Sequence, residues 1–448
     1  MGRLFHRTEC HHRVLSRVLR AGRPPRGAAA TPGSCAGVTR RCHRTWVTPG
    51  TRPCLLPSGR PTVSGAARER PHHLRIRLGG SVSSGPVGVA VVGAGVISNE
   101  YLRTLSAFPD LRVVGVADLD AGRATAVARE HGVPVAGDVA TVLAVPEVEL
   151  VVNLTVPAAH AQVATQALRA GKHVYGEKPI ALAPGEAEKV LAQAAERGLH
   201  VGNAPDTFLG AGLQSALRAV GAGHIGEPVA ATTAVQGLGP ERWHPDPAFF
   251  YQPGAGPLFD LGPYYLTALV ALFGGVSRVA ASAARAREER VVGSGPKAGQ
   301  VFPVAVPTHV SALVEFASGV RATSVFSFDS ALPRIQFEVT GTEGVLAVPD
   351  PNTFRGPLKV RANGADAWRD LPVAGRVDGR GLGVLDLARA IRRGGAPRAS
   401  GTLALHVLQT MTAITHSAEH AEFTRIATCP TPPPPVPADW DPEAATVG

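Results

Sequence analysis

The chain has 448 residues, of which 44% are hydrophobic and 18% are charged, and its formal net charge is +10. That length predicts two or three domains, and the apolar fraction excludes a chain that is disordered throughout. The longest apolar run, Tyr264–Gly275, has only twelve residues. A membrane-spanning helix needs about 20, so we predict no membrane partner.

The excess positive charge is confined to the first 85 residues. They hold 16 arginines and two glutamates, a net of +14, whereas the remaining residues carry a net of −4. We therefore predict no nucleic-acid partner for the folded part of the chain. Residues 1–85 are rich in Arg, Pro and Gly and lack periodicity, which predicts disorder. This extension is interpreted as a start-site artefact or an unstructured segment, with a targeting peptide or a functional basic arm as alternatives.

The cysteines lie outside the segment that carries the hydrophobic periodicity. Four fall within residues 1–85, and the fifth, Cys429, begins a Pro-rich tail. None belongs to a C-x-x-C pair, so we predict no metal site. A fold without disulfides fits a reducing cytoplasm.

A glycine-rich turn follows the first strongly apolar segment. Val87–Val92 is typical of a buried parallel strand, and it leads into Gly93-Ala94-Gly95-Val96-Ile97-Ser98. Gly93 permits a tight turn and Gly95 lets the backbone approach a pyrophosphate. The helix predicted over Asn99–Ala107 would direct free N–H groups at the phosphates, and Ser98 is a candidate cap for it. We interpret the turn as a dinucleotide site.

A carboxylate follows at the spacing that such a site requires. The second predicted strand, Leu111–Ala117, ends at Asp118, 23 residues after Gly95. An aspartate there accepts hydrogen bonds from the ribose hydroxyls and repels a 2′-phosphate, so NAD is favoured over NADP. Asp120 is a second candidate for this role.

Strands and helices alternate up to residue 203. The predicted helices are Ala121–His131, Ala158–Ala170 and Ala183–Arg197, and the predicted strands are Leu150–Asn153, His173–Gly176 and His200–Asn203. This order predicts a doubly wound parallel sheet, a Rossmann domain over residues 86–205, with ligands at the carboxyl ends of its strands.

Glu177-Lys178-Pro179 directly follows one of these strands. A lysine beside a nicotinamide ring would have its pKa lowered by burial and could exchange a proton with substrate, while Glu177 could hold the ammonium. The alternative is a surface lysine in an ordinary turn.

In this order the motifs resemble those of the Gfo/Idh/MocA oxidoreductases, over roughly residues 87–425. The matching segments are Gly93-Ala94-Gly95, Asp118, Thr155-Val156-Pro157-Ala158-Ala159-His160 and Glu177-Lys178-Pro179. The resemblance implies that a Rossmann domain is followed by an α/β domain with a large, open, mostly antiparallel sheet. It also implies that Lys178 contacts substrate, often with a cis bond before Pro179.

The same resemblance adds candidate cofactor-binding residues after the fourth strand. Thr155, Pro157 and His160 would lie near the cofactor, together with Glu177, Lys178 and Pro179. His160 has an alternative interpretation as a residue of the first helical turn.

The second domain is predicted over residues 206–428. Its predicted elements are a helix over Leu209–Val220, strands over Val229–Val235, Val276–Ala286, Thr308–Phe316, Val320–Phe328 and Ile335–Gly341, and helices over Leu382–Arg392 and Leu403–Ala421. Residues 429–448, with the run Pro432–Pro435, predict a flexible tail.

One residue departs from the family pattern. Family members carry Asp-x-x-x-His on one helix face beside the lysine, and here Asp260 fits but Tyr264 stands at the histidine position. The ordinary pKa of tyrosine is about 10 against about 6.5 for histidine, so tyrosine is the poorer base at neutral pH. Asp260 as a helix cap and Tyr264 as a packing residue are the alternatives. His244, in an aromatic-rich loop, is the reserve candidate for the missing imidazole.

We therefore predict a cytoplasmic NAD-dependent dehydrogenase acting on a secondary alcohol of a sugar, inositol or polyol. Lys178 would accept the hydroxyl proton, assisted by Asp260 and Tyr264. A non-catalytic NAD-binding regulator and an NAD-dependent glycoside hydrolase are the alternatives. The resemblance also implies a homo-oligomer, a dimer or tetramer, formed through the sheet face.

Overall fold

The computed structural model describes residues 84–447. The disorder predicted over residues 1–85 therefore falls outside the described residues, except for the last two, and it stays a prediction.

The first domain is built on a parallel sheet of six strands. These are β1 (Val87–Val92), β2 (Leu111–Ala117), β3 (Val135–Gly137), β4 (Leu150–Asn153), β5 (His173–Gly176) and β6 (Val201–Asn203). Their spatial order is β3-β2-β1-β4-β5-β6. The order reverses between β1 and β4, and such a reversal opens a crevice at the carboxyl ends of the strands. The predicted doubly wound sheet is confirmed.

Five helices connect these strands. They are α1 (Val96–Leu105), α2 (Ala121–His131), α3 (Val139–Leu143), α4 (His160–Arg169) and α5 (Pro184–Glu196). α1 begins earlier than predicted, because Gly95 and not Ser98 occupies the N-cap. The Ser98 hydroxyl instead donates to the Gly95 carbonyl oxygen at 2.6 Å. β3 and α3 were not predicted, since three and five residues are too few to show a period.

The second domain is built on a mixed sheet of nine strands. These are β7 (Pro228–Leu238), β8 (Val276–Ala284), β11 (His309–Phe316), β12 (Arg321–Ser327), β13 (Asp329–Gly341), β14 (Gly344–Ala347), β15 (Leu358–Ala362), β16 (Arg369–Leu371) and β17 (Thr424–Arg425). β7 and β12 are parallel and the other neighbours are antiparallel. A separate hairpin pairs β9 (Glu289–Val291) with β10 (Val301–Pro303). The predicted open, mostly antiparallel sheet is confirmed.

Four helices follow β6 in the chain, namely α6 (Ala211–Gly221), α7 (Gly256–Phe273), α8 (Leu382–Arg393) and α9 (Gly401–His420), and of these α8 packs against β5 and β6 of the first sheet. α7 has the length and apolar composition of a membrane span, yet 78% of it is buried inside the molecule. It is therefore placed as the core helix of the second domain, where it contacts α9 and the inner side of that domain's sheet. The alternating buried residues of β11 supply part of that core.

The C-terminal tail is packed against the fold, in contrast to the predicted flexible tail. The Val436 amide donates to Gln214 Oε1 at 2.7 Å, and the Trp440 ring lies against the guanidinium of Arg389. At the far end, the amide and hydroxyl of Thr446 donate to the carboxylate of Asp110 at 2.6 and 2.8 Å. Proline-rich composition predicts poor helix and strand formation, but it does not predict whether an extended segment finds partners.

These tail contacts enclose a buried ion pair. Arg389 Nε donates to Asp110 Oδ2 at 2.7 Å, and the two side chains are 4% and 1% exposed. Burial alone would raise the pKa of Asp110, but hydrogen bonds from Thr446 and Arg389 outweigh it and hold the pKa below the ordinary 3.8. The pair joins the loop before β2 to α8, and removing one partner of such a pair costs about 3–5 kcal/mol.

We predict that Arg389→Met lowers the thermal unfolding midpoint by at least about 5 °C at pH 7, measured by calorimetry. The control is Arg393→Met, an exposed residue near the end of the same helix. Because the pKa of Asp110 is lower in the folded state, the pair stabilises the protein above about pH 4 and this contribution is lost as the pH falls through the folded-state pKa. The difference in thermal unfolding midpoint between wild type and Arg389→Met should therefore become smaller at low pH. An unchanged midpoint at pH 7 would contradict this role.

Candidate active site

The turn after β1 has the geometry of a phosphate cradle. Gly93 has a φ of +101°, and a Cβ there would lie 2.7 Å from the Leu154 carbonyl carbon, so no other residue fits. No atom of residues 84–447 lies within 4 Å of a Cβ built on Gly95, which leaves the space at the N-terminus of α1 open to these residues. Val96 is 95% exposed beside this space. The free N–H groups of the first helical turn there fit the pyrophosphate of a dinucleotide.

Asp118 directly follows β2, and its carboxylate contacts this turn. One of its carboxylate oxygens accepts from the Ala94 amide at 2.7 Å, and the other accepts from Arg123 Nη2 at 2.7 Å and from the Asp120 amide at 2.9 Å. Burial would raise the pKa of Asp118, but the bonds from Arg123 and the two amides outweigh it and lower the pKa. The carboxylate is thus held ionised beside the glycine-rich turn. Asp120 instead caps α2 by accepting from the Arg123 amide.

His160 links the two loops that follow β4 and β5. Its Nδ1 lies 2.6 Å from the Pro179 carbonyl oxygen and its Nε2 lies 2.9 Å from the Thr155 carbonyl oxygen. The ring is buried and both nitrogens face backbone oxygens. Asn153 braces the same loop by accepting from the Thr155 hydroxyl at 2.7 Å. His160 therefore fixes the positions of these two loops. The loops line a cleft beside the glycine-rich turn, and Thr155 and Pro157 form part of that lining.

Glu177 does not hold the lysine ammonium, in contrast to our expectation. Its Oε1 accepts from the Tyr101 hydroxyl at 2.8 Å and its Oε2 accepts from the Lys178 amide at 3.0 Å. The carboxylate thereby fixes the backbone from which Lys178 extends. The Lys178–Pro179 peptide is cis, as the family resemblance implies.

The Lys178 ammonium is held by Asp260 instead. Nζ donates to the Asp260 carbonyl oxygen at 2.9 Å and to its Oδ1 at 3.1 Å, and it lies 5.3 Å from the centre of the Tyr264 ring. The structure thus brings together three of the four candidate catalytic residues, namely Lys178, Asp260 and Tyr264. The predicted lowering of the lysine pKa is wrong. Burial acts in that direction, but Tyr264, Asp260 and Glu177 outweigh it and raise the pKa of Lys178 above the ordinary 10.5.

Arg380 is a residue of this cleft that our sequence reasoning missed. It extends from the loop before α8, and its Nη2 donates to the Tyr264 hydroxyl at 3.3 Å. Both line a cleft of about 260 Å³ together with six predicted cofactor-binding residues, namely Ile97, Thr155, Pro157, His160, Glu177 and Lys178. An isolated arginine in a glycine-rich loop carries no sequence signal for a partner 116 positions away.

His244 lies elsewhere, in a surface cluster of aromatic rings. Its ring contacts Trp243, Phe249 and Phe250, and its Nδ1 accepts from the Asp246 amide at 3.0 Å. It is not among the residues that line the cleft. Of the two candidates for the family histidine, Tyr264 is the one that lies beside Lys178.

Two family models match the chain. Residues 87–204 match the oxidoreductase family with an NAD-binding Rossmann fold, and residues 213–347 match the GFO/IDH/MocA C-terminal domain. Together these segments span more than half of the chain and include every residue of the glycine-rich turn and of the Lys178–Asp260–Tyr264 group.

Two proteins named as a dehydrogenase and a reductase are similar to this chain along most of their own length. Trans-1,2-dihydrobenzene-1,2-diol dehydrogenase of Mus musculus is 26% identical over 64% of this chain and 80% of its own length. 1,5-Anhydro-D-fructose reductase of Ensifer adhaerens is 26% identical over 75% of this chain and 98% of its own.

A solved structure shares the fold. Levoglucosan dehydrogenase, in a complex with NADH and L-sorbose, has a TM-score of 0.66 at 22% identity and covers 76% of this chain and 99% of its own. The fold, the cofactor turn and the family models agree, and the chain belongs to the Gfo/Idh/MocA family of NAD-binding oxidoreductases.

Proposed function

We propose that this protein transfers a hydride between NAD and a secondary alcohol of a sugar or cyclic diol. The observation that carries the proposal is the Lys178 ammonium, held by Asp260 beside Tyr264, in a cleft that adjoins the glycine-rich turn. The names of the similar proteins support the substrate class, since they denote a cyclic diol, an anhydrofructose and levoglucosan.

Each residue of the site has a separate role in this reaction. NAD, when bound along Gly93–Ile97 and Asp118, supplies the ring that accepts or returns the hydride. Lys178 contacts the reacting oxygen: its ammonium protonates a carbonyl during reduction, and its neutral amine accepts the hydroxyl proton during oxidation. Asp260 holds the lysine chain in place. Tyr264 supplies a second hydrogen bond to the same oxygen.

Two alternatives remain distinguishable by one assay. The complete group of Lys178, Asp260 and Tyr264 favours an enzyme over a non-catalytic NAD-dependent regulator, which would form no NADH with any substrate. An NAD-dependent glycoside hydrolase would cleave a glycoside without a net change in NADH absorbance.

We also propose a cytoplasmic location and a homo-oligomer, either a dimer or a tetramer. Support for the oligomer comes from the strands β7 and β13, which expose the large apolar side chains Leu238, Leu332 and Ile335 towards the same end. Exposed apolar groups on neighbouring strands favour burial against another subunit.

We predict that Lys178→Ala lowers the turnover number by about 10²–10⁴, because it removes the proton-transferring group, while NADH affinity changes little. The measurement is NADH formation with a panel of levoglucosan, myo-inositol, glucose and cyclic trans-diols. The control is Lys189→Ala, on the exposed side of α5. Full turnover by Lys178→Ala would show that the lysine does not transfer the proton.

A second prediction concerns pH. Since the pKa of Lys178 is raised, the amine form needed for oxidation becomes more abundant as the pH rises. We expect the oxidative turnover number to increase with pH from about 6 to 10, whereas the reductive one stays nearly level up to about pH 9 and falls only as the pH approaches the pKa of Lys178. A profile with the opposite slopes would mean that another group moves the proton.

The third prediction concerns cofactor choice. Asp118→Asn should raise the KM for NAD about 10–100-fold, because a hydrogen bond to a charged group is lost, and shift the preference towards NADP. The matched control is Asp138→Asn, since Asp138 is an exposed helix cap. An unchanged ratio of NAD to NADP efficiency would show that Asp118 does not select the cofactor.

A further inference from the structure

We propose that Arg380 is a positioning residue that fixes the hydroxyl of Tyr264 beside Lys178, so that the tyrosine proton points to the reacting oxygen. This inference rests on the proposed function and adds to it a residue from a distant loop.

The first step concerns the surroundings of Tyr264. Two cations lie over its ring, with Lys178 Nζ at 5.3 Å and Arg380 Cζ at 5.6 Å from the ring centre. Contacts of this kind favour one ring position over others. Tyr264 is also buried, with 7% of its surface exposed.

The second step concerns the direction of the hydroxyl proton. A guanidinium can only donate, so the bond from Arg380 Nη2 to the Tyr264 oxygen makes that oxygen an acceptor. The O–H proton of Tyr264 is then left to donate to another acceptor. A substrate oxygen beside Lys178 is such an acceptor, and it would receive hydrogen bonds from both side chains.

The third step concerns what holds Arg380. The adjacent backbone is tied to Asp206, whose Oδ2 accepts from the amides of Gly381 and Gly383 at 2.7 and 3.2 Å. Asp206 is completely buried directly after β6, and its negative charge also balances that of Arg380. The same carboxylate therefore places the loop that carries Arg380.

The hydrogen bonds of Arg380 also differ from those of an arginine that only stabilises the fold. Its Nη1 is buried without a hydrogen-bond partner among residues 84–447, which costs about 1–3 kcal/mol. By contrast Arg376, in the same loop, pairs with Asp378 and Glu443. A buried polar group that has no partner and destabilises the fold is typical of a residue with a role in a functional site.

The test compares Arg380→Met and Arg380→Lys with the matched control Arg376→Met, using the panel substrate that the wild type oxidises best. We expect Arg380→Met to lower the turnover number about 10–100-fold, as a misplaced catalytic group does, with the KM for NAD within about threefold of wild type. Arg380→Lys should restore part of the loss, and Arg376→Met should stay within about twofold. A turnover number for Arg380→Met near that of wild type, or an equal loss in Arg376→Met, would overturn the proposal.

A second readout does not need a substrate. In protein labelled with ¹³C at tyrosine Cζ, the resonance that is missing from Tyr264→Phe belongs to Tyr264. That resonance should move in Arg380→Met and stay in place in Arg376→Met, because only the first variant removes a donor from the hydroxyl. A resonance that does not move would overturn the proposal. If it moves while the wild type oxidises no panel compound, the role of Arg380 is supported and the proposed substrate class fails.

Discussion

The bond between the Lys178 ammonium and Asp260 is the contact on which the candidate site depends. It joins a loop of the Rossmann sheet to the core helix α7 of the second domain, at 2.9 Å to the backbone oxygen and 3.1 Å to the carboxylate. A half-buried lysine needs such a partner to remain charged. The pair therefore sets both where the lysine points and whether it carries a proton, and it leaves the ammonium beside Tyr264.

The other parts of the site follow from the topology of the two domains. Parallel strands direct their following loops to one edge, so the turn after β1, the Thr155 loop and the Lys178 loop converge there. His160 bonds the second of these loops to the third, and Asp118 supports the first. α7 and the loop that carries Arg380 then close the cleft from the second domain.

The sequence predicts those features whose physical cause is local. Gly93 and Asp118 follow from strand, turn and spacing, and the sheet that carries them is confirmed; Lys178 stands at the end of a strand that is recognisable alone. Arg380 could not be predicted, because the bond that gives it a role spans 116 positions. The predicted direction of the Lys178 pKa is wrong for a different reason: it considers burial alone, whereas Tyr264, Asp260 and Glu177 together outweigh burial. The C-terminal tail likewise finds Asp110 across 336 positions.

The central claim is that the reacting alcohol lies against Lys178. It is tested most directly by a crystal structure of the protein with NADH and the panel compound that it oxidises best. The account predicts one substrate oxygen within about 2.6–3.2 Å of Lys178 Nζ, a second contact from the Tyr264 hydroxyl, and the nicotinamide ring next to the carbinol carbon. A substrate bound in the same crystal with its reacting carbon away from Lys178 would contradict the account.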